Sequence, residues 1–343
     1  MEVVNINGSS GQSKVIIGSA FQNLASHLPQ ESVFVVTDSN VFPLLGHLKT
    51  KHPIYSVTPG EASKNLGVAQ KIYEWLLENG AHRRSFILGF GGGVVCDIAG
   101  FVASTYMRGI RFGFVATSLL AQVDASVGGK NGLNLNGYKN IIGTFNQPDF
   151  VICDVLMLKT LPNEELANGF AEIVKHTLIA DGKMFGFIEE NVEGLLNRNG
   201  SIIEKLVEHS VRVKIGIVQA DEFEKGERKK LNLGHTWGHA VEKLSGLPHG
   251  QSVSIGLEFA ARISVEKGLL GKHDYHRVIN LLQGLRLPIH TTLNPLQLFE
   301  ALTRDKKKIA DSVDFILMKG IGEVVIERLT LTTIKNFLVE TYK

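Results

Sequence analysis

Short β-branched runs that alternate with helix-period stretches constrain this chain more than any other feature. SVFVVTD (32–38), PIYSV (53–57), SFILGF (85–90), RFGFVAT (111–117) and FVICD (150–154) are short, apolar and closed by turn residues, as buried strands are. Between two of them Leu66, Ala69, Ile72, Tyr73 and Leu76 recur with helical period. Strands joined by helices predict an α/β region whose mostly parallel sheet is covered on both faces. After Asp154 the pattern changes. Leu161-Pro162-Asn163-Glu164-Glu165 reads as a helix start, with Asn163 as the N-cap and acids in the first turn. From there to about residue 300 the periodicity is nearly all helical, and β character returns only in VDFILM and GEVVIE. A chain of 343 residues exceeds what one core usually organises. Two domains are therefore expected, 1–160 and 161–343.

Composition excludes several classes of partner. A formal net charge of +2 gives no electrostatic drive towards nucleic acid or an anionic membrane. The N-terminus MEVVNINGSSGQ lacks the basic start and apolar core of a signal peptide. No apolar run reaches the roughly 18 residues that span a bilayer. The two cysteines, Cys96 and Cys153, form no metal or disulfide pattern. A soluble, cytoplasmic protein is expected, with neither nucleic acid nor membrane as partner.

Four local patterns carry chemistry. GFGGGVVCDIAG (89–100) follows a strand and opens a helix, the setting in which adjacent glycines and a helix N-terminus receive a phosphate. The dinucleotide spelling is broken because Val94 stands where the last glycine belongs, so a tight strand-to-helix turn is the competing reading. Asp38 ends an earlier strand; it suits a ribose hydroxyl or simply caps the next helix. Glu172, Lys175 and His176 share one helix face, either a site or a solvated surface. Lys214 interrupts the apolar stripe Val207, Val211, Ile217, Val218 and must snorkel or meet an anion. Finally, NLGHTWGHAVEKLSGLPHG (232–250) holds His235, His239 and His249. Spacing alone pairs His235 with His239 as metal ligands, with His249 in a loop free to swing towards them. Ordinary hydrogen-bonded histidines are the alternative.

The chain resembles the 3-dehydroquinate synthase family over nearly its whole length. The resemblance rests on PGEASK (59–64), GGGVVCDIAGF (91–101), YMRG (106–109), SLLAQVDASVGGKNGLN (118–134), YKNIIGTFNQP (138–148), GFAEIVKH (169–176), LNLGHTWGHAVE (231–242) and LPHGQSVSIG (247–256), matched in order. It implies an N-terminal Rossmann-like nucleotide-binding α/β domain with a parallel sheet, then a mostly α-helical metal- and substrate-binding domain, assembled as a homodimer. The implied reaction converts 3-deoxy-D-arabino-heptulosonate 7-phosphate to 3-dehydroquinate and phosphate with catalytic NAD and a divalent metal, zinc or cobalt.

Carried over residue by residue, the resemblance makes Glu172, His235 and His249 the metal ligands and turns His239 to the substrate. It places Lys175 and Asp124 on substrate hydroxyls, and Lys214 and Arg228 on the carboxylate. Lys130, Asn140, Asn232 and one of Lys306 or Lys307 take the phosphate, joined by Arg108 from the neighbouring subunit. NAD is implied on Gly91, Gly92 and Gly93, with Asp38 and Glu61 on the ribose side and Lys64, Asp97, Thr117, Ser118, Lys139 and Asn140 completing its site. Two departures stand out. Cys96 replaces the glycine of the family's GGGVxGDxxGF, and Ala116-Thr117-Ser118 replaces Pro-Thr-Thr. A sister sugar-phosphate cyclase shares the NAD, the metal and most of the lysines. A metal-dependent polyol or glycerol dehydrogenase shares the architecture but has no use for so many anion-binding residues.

Overall fold

The structure, a computed structural model, describes residues 1–18, 20–46, 51–306 and 311–341, without the side chains at 304–306 and 339–341. It divides into two compact units, Met1–Pro162 with Ile203–Phe223, and Asn163–Ile202 with Glu224–Lys343. Segment 203–223, expected in the second domain, groups with the first unit. Polar side chains tie it there: Lys214 to Asp124, Arg212 to Glu2, and Glu222 to Ser9 and Ser10.

In the first unit the strands are β1 (Glu2–Gly8), β2 (Gly11–Ile17), β3 (Val33–Asp38), β4 (Ile54–Val57), β5 (Phe86–Gly91), β6 (Arg111–Ala116), β7 (Lys130–Leu135), β8 (Tyr138–Phe145) and β9 (Phe150–Cys153). Its helices are α1 (Leu24–His27), α2 (Phe42–Leu45), α3 (Leu66–Glu78) and α4 (Gly93–Thr105). The main sheet runs β1-β2-β9-β6-β5-β3-β4; all neighbours are parallel except the β1–β2 hairpin. Nearly every residue of β3, β5, β6 and β9 is buried, which is why these strands read as continuous apolar runs rather than alternating ones. Asn65, whose side chain accepts from Val68 N at 3.0 Å, caps α3.

Two hairpins lie outside the expected strands. β7 and β8 meet at Asn136-Gly137, with φ of 50° and 78°, the left-handed pair that a two-residue turn demands and Asn-Gly supplies. β1 and β2 turn at Ser9-Ser10. There the Glu222 carboxylate accepts from Ser9 N (2.7 Å), Ser9 Oγ (2.5 Å), Ser10 N (3.0 Å) and Ser10 Oγ. Desolvation opposes its charge, but these four donors outweigh it and hold its pKa down at about 2, against an ordinary 4.5. A depressed folded pKa contributes stability above the unfolded value that is lost as pH falls. The stability gap between wild type and Glu222→Gln is therefore expected to be full above pH 4.5 and to close towards pH 2 in acid-unfolding titrations. A gap independent of pH would contradict this latch.

The second unit holds α5 (Asn163–Ala180), α6 (Gly182–Glu190), α7 (Val192–Leu196), the first residues of α8 (Gly200–Ala220), α9 (His235–Ser245), α10 (His249–Glu266), α11 (Lys272–Gly284), α12 (Pro295–Lys306), the antiparallel pair β10 (Ser312–Gly320) and β11 (Glu323–Thr330), and α13 (Leu331–Thr341). Asn163 is the first residue of α5 rather than its cap, and its Oδ1 accepts from Arg198 Nη2 at 2.7 Å. Trp237 and Phe259 stack at 4.1 Å in a core shared by α9, α10, α12, α13, β10 and β11. Burying each of these aromatics is worth about 2–3 kcal/mol. Because Trp237, Ala240 and Val241 take the core-facing side of α9, His235, His239 and Glu242, spaced by one helical turn each, are left for the opposite side.

Candidate active site

In the first unit the chain runs from β3 outward to β4, returns at β5 and continues the other way through β6 and β9. The order thus reverses between β3 and β5, where open α/β sheets bind ligands beyond their carboxyl ends. Asp38 ends β3, and Gly91-Gly92-Gly93 connects β5 to α4. A Cβ at Gly91 would lie 2.5 Å from Val95 Cβ, one at Gly93 3.0 Å from Ala125 Cβ, and one at Gly92 3.3 Å from Ser118 Oγ. The glycines are required by close approach, and the turn leaves a backbone-lined cradle at the start of a helix of 13 residues. Val94 is tolerated because the tight helix–strand contact is made elsewhere: a Cβ on Gly89 of β5 would sit 3.0 Å from Ala99 Cβ of α4. Cys96 is buried on α4 with Sγ 3.8 Å from Gly91 O, and burial pushes its thiol well up. It is a core residue, not a reactive group at the turn.

Asp38 Oδ1 accepts from the amides of Asn40 (2.8 Å) and Val41 (3.2 Å), closing the turn before α2. Lys64 pairs with Asp97; burial raises the Asp97 carboxyl and Lys64 opposes the rise. Glu61 Oε1 accepts from Asn134 Nδ2 at 2.7 Å and lies 4.0 Å from Lys139 Nζ. Asn140, at φ 52°, donates its amide to Asn134 Oδ1 at 2.9 Å. Asn134, whose amide also donates to Lys64 O at 2.8 Å, thus binds Glu61, Lys64 and Asn140 into one group, yet the sequence reading passed over it. The Asn-Gly turn two residues later was the signal that could have placed it on a hairpin. Thr117 N donates to Gly91 O at 2.9 Å, and Ser118 Oγ accepts from Ala121 N at 3.2 Å.

Asp124 rides on a single π-helical turn, Ala121–Ala125, a geometry frequent at functional sites. Lys214 Nζ donates to Asp124 Oδ1 and to Asp124 O, both at 2.6 Å. The lysine in the apolar stripe does not snorkel; it meets an anion supplied by its own unit. Lys130 is exposed at the start of β7. Arg108 is exposed in the turn after α4 with φ 73°.

The second unit supplies the other cluster. Glu172, Lys175 and His176 are 0%, 1% and 0% exposed, so this face of α5 is not a solvated one. Burying three ionisable groups side by side is costly unless they are paired or ligated. Lys175 Nζ sits against Glu172 Oε2. Glu172 Oε1 lies 3.5 Å from His235 Nε2 and 3.3 Å from His249 Nε2. His249 is not in a swinging loop: it is the first residue of α10, after Pro248. Gly250 holds it there, because a Cβ at that position would fall 2.3 Å from Asn168 O of α5, and Gln251 N donates to Asn168 Oδ1 at 3.3 Å.

Burial opposes the charge of Glu172, but Lys175, His235 and His249 hold its carboxyl well below the usual range. Burial, and Lys175 beside it, push His235 well down, so its imidazole is neutral. Desolvation would lower His249, but the carboxylates of Glu172 and Glu242 raise it to about 9. Neither oxygen of buried Glu172 receives a well-directed hydrogen bond, so the group that best satisfies it is a cation. One carboxylate and two imidazole Nε2 atoms within 4.8 Å suit zinc or cobalt in a site with an open position. His239, Glu242 and His249 form another such group. His239 is exposed, its ring 5.2 Å from that of His235.

Arg228 is buried in the turn Glu227–Asn232, and Asn232 Nδ2 donates to Glu224 Oε1 at 2.6 Å. Glu224 and Glu242 were not singled out from the sequence. Glu242 lay in view at one turn from His239, but a carboxylate on a polar helix face carries no signal by itself. Of the phosphate candidates, the Lys306 side chain and Lys307 lie outside the described residues.

The family model for the N-terminal region of 3-dehydroquinate synthase matches residues 54–168, and that for its C-terminal region matches 169–308. A 3-dehydroquinate synthase from Alkaliphilus metalliredigens is 39% identical over 352 aligned positions, covering 98% of each chain. Among solved structures, 2-deoxy-scyllo-inosose synthase complexed with carbaglucose-6-phosphate, NAD+ and Co2+ superposes with a TM-score of 0.88 at 25% identity, covering 99% of this chain and 100% of that one. The 2-epi-5-epi-valiolone synthase of Streptomyces hygroscopicus subsp. jinggangensis with NAD+ and Zn2+ bound gives 0.87 at 26%, with the same coverage.

Proposed function

The chain belongs to the 3-dehydroquinate synthase family, and on that premise we propose that it is a carbon–oxygen lyase converting 3-deoxy-D-arabino-heptulosonate 7-phosphate to 3-dehydroquinate and phosphate. The observation that carries this reading is the buried convergence of Glu172, His235 and His249 beside Lys175. NAD, held on Gly91, Gly92 and Gly93 with Asp38, Glu61, Lys64, Asp97, Thr117, Ser118, Lys139 and Asn140 around it, supplies a hydride acceptor that is regenerated in the cycle. A divalent metal on the triad supplies Lewis acidity towards a substrate hydroxyl.

The remaining work falls to the chain's own residues. Lys175, whose Nζ pairs with Glu172 Oε2, binds a substrate hydroxyl, and Asp124 binds another. His239, exposed beside the triad, moves a proton through a ring nitrogen to or from a substrate oxygen. Lys214, paired with Asp124 in the absence of substrate, and Arg228 hold the substrate carboxylate. Lys130, Asn140, Asn232 and a lysine of 306–307 hold the phosphate. Residues 1–160 serve as the nucleotide-binding domain and 161–343 as the metal- and substrate-binding domain. Arg108, exposed and in a strained left-handed conformation, reaches the phosphate of a partner copy in a cytoplasmic homodimer.

A sister cyclase is the second reading, supported by the fold likeness to 2-deoxy-scyllo-inosose synthase. One assay separates the readings: purified protein, the heptulosonate phosphate, catalytic NAD+ and Co2+ or Zn2+, with phosphate, dehydroquinate and NADH measured. Equal phosphate and dehydroquinate without net NADH are expected. Stoichiometric NADH would point to a dehydrogenase, and phosphate release from a heptulose phosphate lacking the carboxylate would point to a sister cyclase.

A further inference from the structure

His249 has a carboxylate at each ring nitrogen. Nε2 lies 3.3 Å from Glu172 Oε1, and Nδ1 lies 3.5 Å from Glu242 Oε1. An imidazole that ligates a metal through one nitrogen keeps its proton on the other, and the acceptor of that proton fixes both the tautomer and the ring plane. The geometry therefore offers two mutually exclusive arrangements: a metal among Glu172, His235 and His249 with Glu242 as the proton acceptor, or a metal among His239, Glu242 and His249 with Glu172 as the acceptor.

His235 decides between them. Its Nδ1 lies 3.1 Å from the Leu233 carbonyl oxygen, which accepts an N–H and leaves Nε2 as the lone-pair nitrogen. That Nε2 is 3.5 Å from the same Glu172 oxygen that faces His249 Nε2. The Nε2 atoms of two histidines and one carboxylate oxygen thus converge, each histidine with a backbone or carboxylate acceptor behind its Nδ1. In the alternative arrangement His235 and the wholly buried Glu172 would be left without a cation between them.

From this we infer that Glu242 is a positioning residue: it accepts the Nδ1 proton of His249 and aims Nε2 at the metal position beside Glu172. The inference rests on the metal-site reading above. Glu242 is suited to the task because its side chain is 6% exposed, so little water competes for the imidazole proton. It sits on α9 and His249 starts α10, so the contact also sets the ring relative to two packed helices.

The test is metal affinity, read by competition of the full-length protein against a chromophoric chelator for Zn2+ and by the visible spectrum of the Co2+ form. Glu242→Ala is expected to weaken Zn2+ about 10- to 100-fold while leaving a tetrahedral Co2+ spectrum. Glu242→Gln, which still accepts the proton through its amide oxygen, is expected to recover most of that loss and covers the case in which the alanine variant does not fold. Unchanged affinity in both variants overturns the positioning role. Complete loss of metal in Glu242→Gln, matched by His239→Ala, overturns it in favour of ligation by Glu242. If instead Glu172→Ala and His235→Ala both keep full affinity, the underlying metal-site reading has failed, an outcome distinct from the other two.

Discussion

Replacing His239 with alanine is expected to leave metal content unchanged while kcat falls about 100- to 10,000-fold, the range over which a single general acid–base group contributes. His239 is one turn along α9 from His235, and spacing alone would make the two a ligand pair. The backbone sends them apart in role. His235 is 9% exposed and points Nε2 at buried Glu172. His239 lies outside that cluster on an exposed position. A metal assay and phosphate release on the same preparation check the expectation. Loss of metal along with turnover would reassign the site to His239, Glu242 and His249.

Gly256→Ala is expected to cost about 3 kcal/mol of stability, seen as a Tm lower by roughly 5–10 °C, and to weaken Zn2+ binding with it. Gly256 lies where α10 crosses the start of α9. An added Cβ would be 1.8 Å from Gly234 O and 2.9 Å from Gly238 N, both backbone atoms with no side chain to rotate away. Gly238 is equally tight, its Cβ position 2.8 Å from Ser252 O. Admitting a methyl group therefore means separating the helices that carry His235 and His249. Gly216→Ala on α8 is the control: nothing lies within 4 Å of its Cβ position, and it should be neutral or raise stability by up to about 1 kcal/mol. A Gly256→Ala protein as stable as the control would show that this crossing is not rigid.

Much of the frame was legible in the residues. The five apolar runs became β3, β4, β5, β6 and β9; four of them are buried on both faces and so are apolar throughout, while β4 is the edge strand with only Val57 buried. The helix over 66–76 appeared because its apolar period is regular, and β10 and β11 emerged where β character returned. The two hairpins were missed for a physical reason. β8 is exposed along most of its length, and β1 shows alternation only weakly, so neither carries a strong hydrophobic pattern. The Asn136-Gly137 turn was the one cue available.

The glycine turn separates two kinds of information. That a Gly-rich strand-to-helix connection stands at 91–93 is local and readable. That Val94 does no harm is not local, since Gly89 and Ala99, each five residues from Val94 and on different elements, make the close contact instead. Cys96 is similar: its departure from the family pattern looked consequential beside the turn, but the helix directs the thiol into the core.

By itself the sequence determined the alternation that builds a parallel sheet, the helical second half, and the residue types that a metal and two anions require. Helical spacing settles neighbours only within one helix, because 3.6 residues per turn places i and i+4 together whatever surrounds them. Which carboxylate meets which imidazole depends on how α5, α9 and α10 cross, and those crossings are set by backbone contacts at Gly250, Gly238 and Gly256. Only the tertiary structure could therefore bring Glu172 to His235 and His249, set Glu242 behind His249, and give Lys214 its counter-charge in Asp124. Each of these pairings joins residues on different elements, where no periodicity in the chain links one partner to the other.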